Sequence, residues 1–430
     1  MQTNKTIQNA KWIIGCKIFQ SLLQMVVGML SARYLGPSNY GLINYAASIV
    51  AFAAPLMQLG LHGTLVQEYV VTPEREGQIM GTSLVLNLVS GLACVVGVIS
   101  FAAIGSTNDP VTVAVCAIYS LQLIFQALEM LQCWFQAKLL SKYSSLAMLG
   151  AYIVVSAYKI WLLATQRSVY WFAFSHSVEY GVIGIAMLVI YHKLGNQRLS
   201  FSWKLAKDMF SRSKYYIVAN LMVVIYNRTG NVLLKFFCGN AENGFFATAI
   251  TCTCITGFVF DAITNTARPV ALESLKQSRE KFERNISYIY SITTWLSTAQ
   301  SVFFTIFAKP IVVFLYGAEF IPAIPVLQIL IWNSAFSYMG VVRNIWILGE
   351  EKHDKLWKIN SSGALANVIF NVIFIPLWGA CGAAFASVLT QIFTNFILGF
   401  LMPSIRPNNR LLLKGLNPRI LWALWKEFRN

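Results

Sequence analysis

At 430 residues the chain has the length of two or three soluble domains, but its composition excludes a water-soluble globule. Apolar residues make up 57% and charged residues 12%, about half the roughly 25% of soluble domains. The 33 Lys and Arg against 17 Asp and Glu leave a net charge of +16; such an excess suits a nucleic-acid partner only if the apolar runs leave it unexplained. The eight cysteines form no C-x-x-C or Cys/His cluster. Cys252 and Cys254, two apart, would point to different faces of a helix, which argues against a disulfide framework or a zinc site.

A window of about 20 residues places apolar spans at 10–32, 41–61, 79–104, 110–136, 144–165 and 169–192, then at 213–236, 243–270, 285–308, 323–348, 358–376 and 379–402. The third is the most apolar; the eleventh, with Asn360, Asn367 and Asn371, is the most polar. No small-residue cleavage site follows a short apolar core in residues 1–30, so the first span is expected to be retained. Of the 33 basic residues, 24 fall on the side that carries the N-terminus and four (Arg33, Arg167, Lys235, Lys309) on the other. This bias predicts both termini in the cytoplasm. Most of the +16 is thereby a topology signal, and no nucleic acid is needed.

The expected architecture is all-α and polytopic, with about twelve transmembrane helices. Two six-span halves would be related by a parallel pseudo-two-fold: residues 1–198 and 213–402, joined by an amphipathic linker at 199–212 and followed by a basic amphipathic tail at 403–430. In the linker, Phe201, Leu205, Met209 and Phe210 lie between Lys204, Lys207 and Arg212; in the tail, Ile420, Leu421, Leu424 and Phe428 lie between Arg419, Lys426 and Arg429. Both are expected to lie on anionic membrane lipid. The halves share a G-x4-G turn, Gly36–Gly41 and Gly239–Gly244, and a lysine, Lys11 and Lys214, at one offset of 203 residues.

Charges inside a bilayer are costly and face a cavity or a partner. Lys17 lies about 12 Å into the first span at about 1.5 Å per residue, on a stripe with Gln20, Ser21 and Gln24. Arg228 lies in Asn227-Arg228-Thr229-Gly230-Asn231, and its planar fork suits phosphate oxygens. Lys159, Arg268 and Arg343 lie nearer span ends, where snorkelling to the interface is the competing reading. Gln122, Gln126 and Glu129 form one stripe, and Asp261, Thr264/Asn265 and Arg268 another. Glu129, Glu179 and Asp261 are the candidates for binding a coupling ion, against the alternative of interhelical ion pairs. Five basic and three acidic residues within spans leave a cavity that favours an anion. His62 and His176 read as packing histidines, and Tyr45, Tyr119, Tyr226 and Trp346 as belt or sugar-stacking aromatics.

Ala32-Arg33-Tyr34-Leu35-Gly36-Pro37-Ser38-Asn39-Tyr40-Gly41 resembles the first-loop motif of the polysaccharide-export flippases, the O-antigen translocases of the Wzx type, and Ala54 to Leu61 fits the same pattern. Within the motif Arg33, Gly36, Pro37, Tyr40 and Gly41 carry the likeness; the turn at Gly239 lacks the Leu-Gly-Pro-x-x-Tyr-Gly form. The resemblance extends to the multidrug, oligosaccharidyl-lipid and polysaccharide exporter superfamily. It implies two six-helix lobes about a cavity opening alternately to each side, and translocation of an undecaprenyl-pyrophosphate-linked oligosaccharide across a bacterial inner membrane. It also implies lipid contacts, polysaccharide polymerase and chain-length regulator partners, no cofactor and no metal. The rivals are a multidrug exporter, which would want an acidic lumen, and a membrane-bound polymerase or glycosyltransferase, which would want a large external loop or a His/Asp cluster.

Overall fold

The computed structural model describes the backbone of residues 2–106, 109–195 and 197–420, and within these every side chain except those of residues 2–14, 16–18 and 353. The described residues are helical, with no strand among them. Among the described residues nine helical segments are long and apolar enough to cross a bilayer, and a pair bent by 45° adds a tenth. Two of the nine, Phe19–Val71 and Leu356–Leu401, contain a glycine break and hold two of the expected spans each. The twelve spans read from the sequence are therefore accommodated. The chain is a multi-pass membrane protein that packs as two units, Met1–Val224 and Ile225–Asn430, the division falling within one helix.

Unit 1 begins with α1 (Gln2–Met57), broken at Gly36 (φ 71°, ψ 171°). That backbone conformation is open essentially to glycine alone, and Pro37 then restarts the helix with its fixed φ. A turn through Leu59 and Gly60, both at positive φ, leads to α2 (His62–Val71) and α3 (Glu76–Gly105). The fourth span is α4 (Pro110–Ser120), α5 (Gln122–Gln126), a 3-10 turn at Ala127–Met130 and α6 (Leu131–Ala137). Then come α7 (Ser141–Ala164), α8 (Val169–Leu194) and the first part of α9 (Trp203–Cys238). Trp134 lies in a buried cluster with Leu65, Tyr69, Met80 and Met187, edge-on to Phe135 and Tyr191 at 5.1 and 5.0 Å. Its indole N–H donates to the buried Glu76 Oε2 at 3.0 Å, and Lys138 pairs with the other carboxylate oxygen.

Residues 197–202 do not extend the linker helix; they cross a notch in α3. Gly77 N donates to Gln197 Oε1 at 2.9 Å, Ser200 N to Gly77 O at 3.2 Å and Ser202 N to Thr82 Oγ1 at 3.1 Å. A Cβ on Gly77 or Gly81 would lie 2.3 or 2.4 Å from the carbonyl oxygens of Arg198 and Ser200. The apolar stripe expected on one side of the linker divides accordingly. Met209 is buried and Leu205 packs on the same core, while Phe201, Trp203 and Phe210 are exposed. Ser213 Oγ donates to Leu59 O at 2.7 Å, and its own carbonyl comes so close to Gly60 that a Cβ there would sit 2.3 Å away.

Unit 2 starts with the remainder of α9 and turns at Gly239 (φ 91°, ψ −173°) into α10 (Asn240–Cys254) and α11 (Gly257–Gln277). Gly239 thus repeats the backbone of Gly36, 203 residues earlier. The chain continues through α12 (Arg279–Tyr316), α13 (Ala323–Leu330), α14 (Trp332–Gly349) and α15 (Leu356–Ile392). α15 breaks at Gly379 (φ 55°, ψ −131°), where the carboxylate of Glu242 accepts the Ala380 N–H at 2.7 Å. A π-turn at Phe393–Ile397, α16 (Leu398–Leu401) and α17 (Arg406–Gly415) close the unit. α17 docks through buried Leu411 and Leu412 onto Phe282, Ile286, Tyr290 and Trp346. Asn408 and Asn409 are buried on it, Asn408 Oδ1 accepting from the Tyr290 hydroxyl at 3.0 Å. The tail residues from Leu421 onward, including Leu424 and Phe428, lie outside the described residues.

Gly81→Ala is expected to lower the thermal unfolding midpoint, because its Cβ meets backbone that cannot move aside. Gly97→Ala in the same helix has nothing within 4 Å and is expected to gain about 0.5–1 kcal/mol from helix propensity. Thermal unfolding of both variants in detergent checks the pair.

Candidate functional site

Two polar assemblies stand out, one in each unit. In unit 2, α11, α14 and the start of α15 enclose a cavity of about 290 Å³. α11 contributes Thr264, Asn265 and Arg268, α14 contributes Val341, Asn344, Ile345 and Leu348, and α15 contributes Leu356. The 3–4 residue spacings put each set on one helix face. Arg268 is the charged lining residue and is exposed, so the cavity is cationic and rich in amide groups. The loop joining α14 to α15 carries basic residues; there Glu350 accepts from Arg279 at 3.2 Å and lies 3.5 Å from Lys352. The hydrogen bond to Glu283 at 3.1 Å, with Glu350 close by, holds the Arg279 guanidinium above its usual pKa.

Behind the cavity Arg343 is 4% exposed. Its Nη1 donates to Thr394 O and Asn395 Oδ1, both at 2.9 Å, and its Nη2 to Asn344 Oδ1 at 3.2 Å. This guanidinium, a candidate cavity contact or interfacial residue by sequence, binds protein acceptors through both terminal nitrogens, and its Nε has no partner. Asp261, two turns before Arg268, is exposed and neighbours Tyr338, and is not among the lining residues. Arg228 on α9 is half-buried with Cys254 of α10 beside it, and Asn227 is exposed. Trp346 is 1% exposed, with Lys352 Nζ 4.6 Å from its ring centroid, and Tyr45 is fully buried; neither presents a face to a sugar.

Unit 2 also buries a run of amides that periodicity alone did not assemble. Asn231 Nδ2 donates to Asn243 Oδ1 at 2.9 Å, Asn371 Nδ2 to Asn367 Oδ1 at 3.0 Å and Asn367 Nδ2 to Thr390 Oγ1 at 3.3 Å. Asn367 and Asn371, which made the eleventh span the most polar, are thus interhelical and intrahelical ties.

The assembly in unit 1 is acidic and compensated. Glu179 on α8 is 7% exposed, with His176 Nδ1 3.9 Å away one turn earlier. Lys159 and Tyr152, two turns apart on α7, face Glu179, and Glu129 in the 3-10 turn lies within electrostatic range of it. Gln126 neighbours Glu129, and Gln24 of α1 neighbours Tyr152. Tyr119 packs on His176 with ring centroids 4.7 Å apart. A 3-10 stretch inside a span often marks a functional hinge or local strain, and here it carries Glu129. Tyr152 was the residue the sequence stripes missed; its position seven before Lys159 on one face is the signal that marks it. Lys17, expected on a polar stripe of α1, has a side chain outside the described residues.

The motif loop forms a corner of unit 1. Tyr34 donates to Arg167 O at 3.2 Å and stacks on Phe172 at 5.7 Å. Arg33 is exposed, Gly36 and Gly41 are buried, and Pro37 and Tyr40 are half-buried.

Residues 30–325 match the family described as polysaccharide biosynthesis protein. The chain is 28% identical over 192 residues to a probable low-salt glycan biosynthesis flippase of Haloferax volcanii, covering 44% of this chain and 40% of that protein. It is 23% identical over 237 residues to an uncharacterized membrane protein of Methanocaldococcus jannaschii, covering 53% and 46%. The chain therefore spans less than half the length of either relative. Among solved structures it is similar to the lipid II flippase MurJ in an inward closed conformation, with a TM-score of 0.72, 15% identity and coverage of 97% and 92%. It is also similar to an inward-facing multidrug resistance transporter of the MATE family, with a TM-score of 0.68, 18% identity and coverage of 92% and 96%. At these identities the likeness shows the fold alone.

If Lys159 and Glu179 stabilise one another, Lys159→Met should cost more stability than Lys159→Met combined with Glu179→Gln. A double-mutant cycle read by thermal unfolding is expected to give a coupling of about 0.5–3 kcal/mol.

Proposed function

The chain belongs to the polysaccharide biosynthesis protein family, and from that premise we propose that it is a flippase for an oligosaccharide carried on undecaprenyl pyrophosphate. In this reading it resides in a bacterial inner membrane with both termini in the cytoplasm, and moves its cargo from the cytoplasmic to the outer leaflet. The observation that carries the reading is the unit 2 cavity: one arginine, three polar neighbours (Thr264, Asn265 and Asn344) and no carboxylate among its lining residues. A guanidinium beside amide and hydroxyl donors is matched to pyrophosphate and sugar oxygens. An organic cation would find nothing there to neutralise it, which favours this reading over drug export. Arg228 and Lys17 are proposed as further cationic contacts along the cargo's path. The lipid tail stays in the bilayer while the head crosses by alternating access.

A net movement needs an energy source that binds the two access states differently. Glu179, buried, and Glu129, half-buried, in one assembly with the half-buried Lys159, are the proposed ion-coupling groups. Asp261, exposed on α11, is the third candidate. Lys159 belongs by its surroundings to this assembly and Arg268 to the cargo cavity.

Two measurements in reconstituted vesicles test the proposal. Arg268→Ala is expected to slow flipping of a pyrophosphate-linked saccharide about tenfold or more, the size of one charge-assisted hydrogen bond of about 1.5–3 kcal/mol; an unchanged rate removes Arg268 from the cargo site. Imposed proton or sodium gradients are expected to change the wild-type rate and to leave Glu179→Gln unaffected. A wild type indifferent to both gradients overturns the ion coupling and leaves the flippase reading in place.

A further inference from the structure

The wall behind the cavity is held in one pose from two sides. At the π-turn Phe393–Ile397 the α15 backbone widens, and carbonyls in such a turn lose their usual donors four residues on. Thr394 O is satisfied by Arg343 of α14 at 2.9 Å, and Phe396 O by Asn409 Nδ2 of α17 at 2.8 Å. Asn395 completes the clamp: its Oδ1 accepts from Arg343 and its Nδ2 donates to Phe336 O at 3.0 Å. Gly340 leaves room for it, since a Cβ there would sit 2.5 Å from Asn395 Oδ1. The guanidinium of Arg343 has therefore little freedom to turn.

That fixed guanidinium reaches one more atom, Oδ1 of the exposed, cavity-lining Asn344 at 3.2 Å. A guanidinium only donates, so the amide must turn its oxygen towards Arg343 and its NH2 away from it. We propose that Asn344 is a specificity-determining residue of the cavity, presenting amide donors beside Arg268 to an acceptor-only phosphoryl group, and that Arg343 is its positioning residue. Arg343 does not touch the ligand; it decides which face of Asn344 the ligand meets. Without that bond the amide is free to flip and offer an oxygen, which repels a phosphoryl oxygen. The assignment rests on the reading of the cavity as the site of the cargo's anionic head.

The test uses the full chain in lipid nanodiscs, with undecaprenyl pyrophosphate as probe and undecaprenol as its uncharged counterpart, and dissociation constants read by native mass spectrometry. Asn344→Asp keeps the shape and the bond to Arg343 but replaces the donors with a charged acceptor. It is expected to weaken pyrophosphate binding about tenfold or more, the size of a lost charge-assisted hydrogen bond, with undecaprenol binding unchanged. Arg343→Lys keeps the charge but not the fork, and is expected to weaken the pyrophosphate selectively while Arg268→Ala does so more strongly. Because Arg343 is buried, its variants are read only where the thermal midpoint shows folded protein; Asn344→Asp, at an exposed position, is decisive by itself. Pyrophosphate binding by Asn344→Asp equal to wild type, alongside a loss in Arg268→Ala, overturns this assignment and leaves the cavity reading standing. Wild type that binds both probes alike, or Arg268→Ala that binds pyrophosphate as wild type does, overturns the cavity reading and this assignment with it.

Discussion

Backbone polarity inside an apolar chain is the constraint on which this structure depends. A spanning segment has no water to satisfy its amides, so they must be paired within the protein. Most are paired by unbroken helix. The informative places are where the helix is interrupted, because a donor or acceptor must then be supplied by a side chain. Glu242 supplies an acceptor to Ala380 N at the break in α15. Arg343 and Asn409 supply donors to Thr394 O and Phe396 O at the π-turn. Each of these side chains belongs to a different helix from the group it satisfies, so each interruption ties separate helices of unit 2 together.

The same accounting separates two kinds of charge. Basic residues in loops need no partner and carry topology. Those within spans must be compensated or must serve a ligand. Lys159 lies within electrostatic range of Glu179 inside unit 1. Arg343 gives both terminal nitrogens to backbone and amide oxygens, while its Nε has no partner. Arg268 lines a cavity with no carboxylate among its lining residues, which leaves its charge available. A count of five basic residues in spans thus resolves into different surroundings, and among the described residues Arg268 is the one that lines the cavity.

Glycine plays two distinct parts. Gly36 and Gly239 adopt the same positive-φ, extended-ψ conformation, so the G-x4-G coincidence in the two halves corresponds to one turn used twice. Gly77, Gly81 and Gly340 instead serve by lacking a side chain where backbone or an amide must approach. The turn-forming role leaves a motif in the chain. The space-making role leaves none, because a glycine that admits a neighbour is identical in sequence to any other glycine of an apolar run.

The sequence by itself determined the membrane class, the positions of the apolar spans, the first-loop motif and the stripe Thr264, Asn265 and Arg268 that lines the cavity. Those features depend on composition and on helical period, both local. It also nominated Glu179 and Glu129, because a carboxylate within an apolar run is conspicuous without any structure. Only the tertiary structure decided what each in-span charge meets. Periodicity says which face a side chain occupies but not which helix faces it, so the sequence left Arg343 between a cavity contact and an interfacial residue and did not single out Asn344. The 3-10 turn at Ala127–Met130 and the π-turn at Phe393–Ile397 were equally invisible. Their stability comes from partners on other helices rather than from the residues that adopt them.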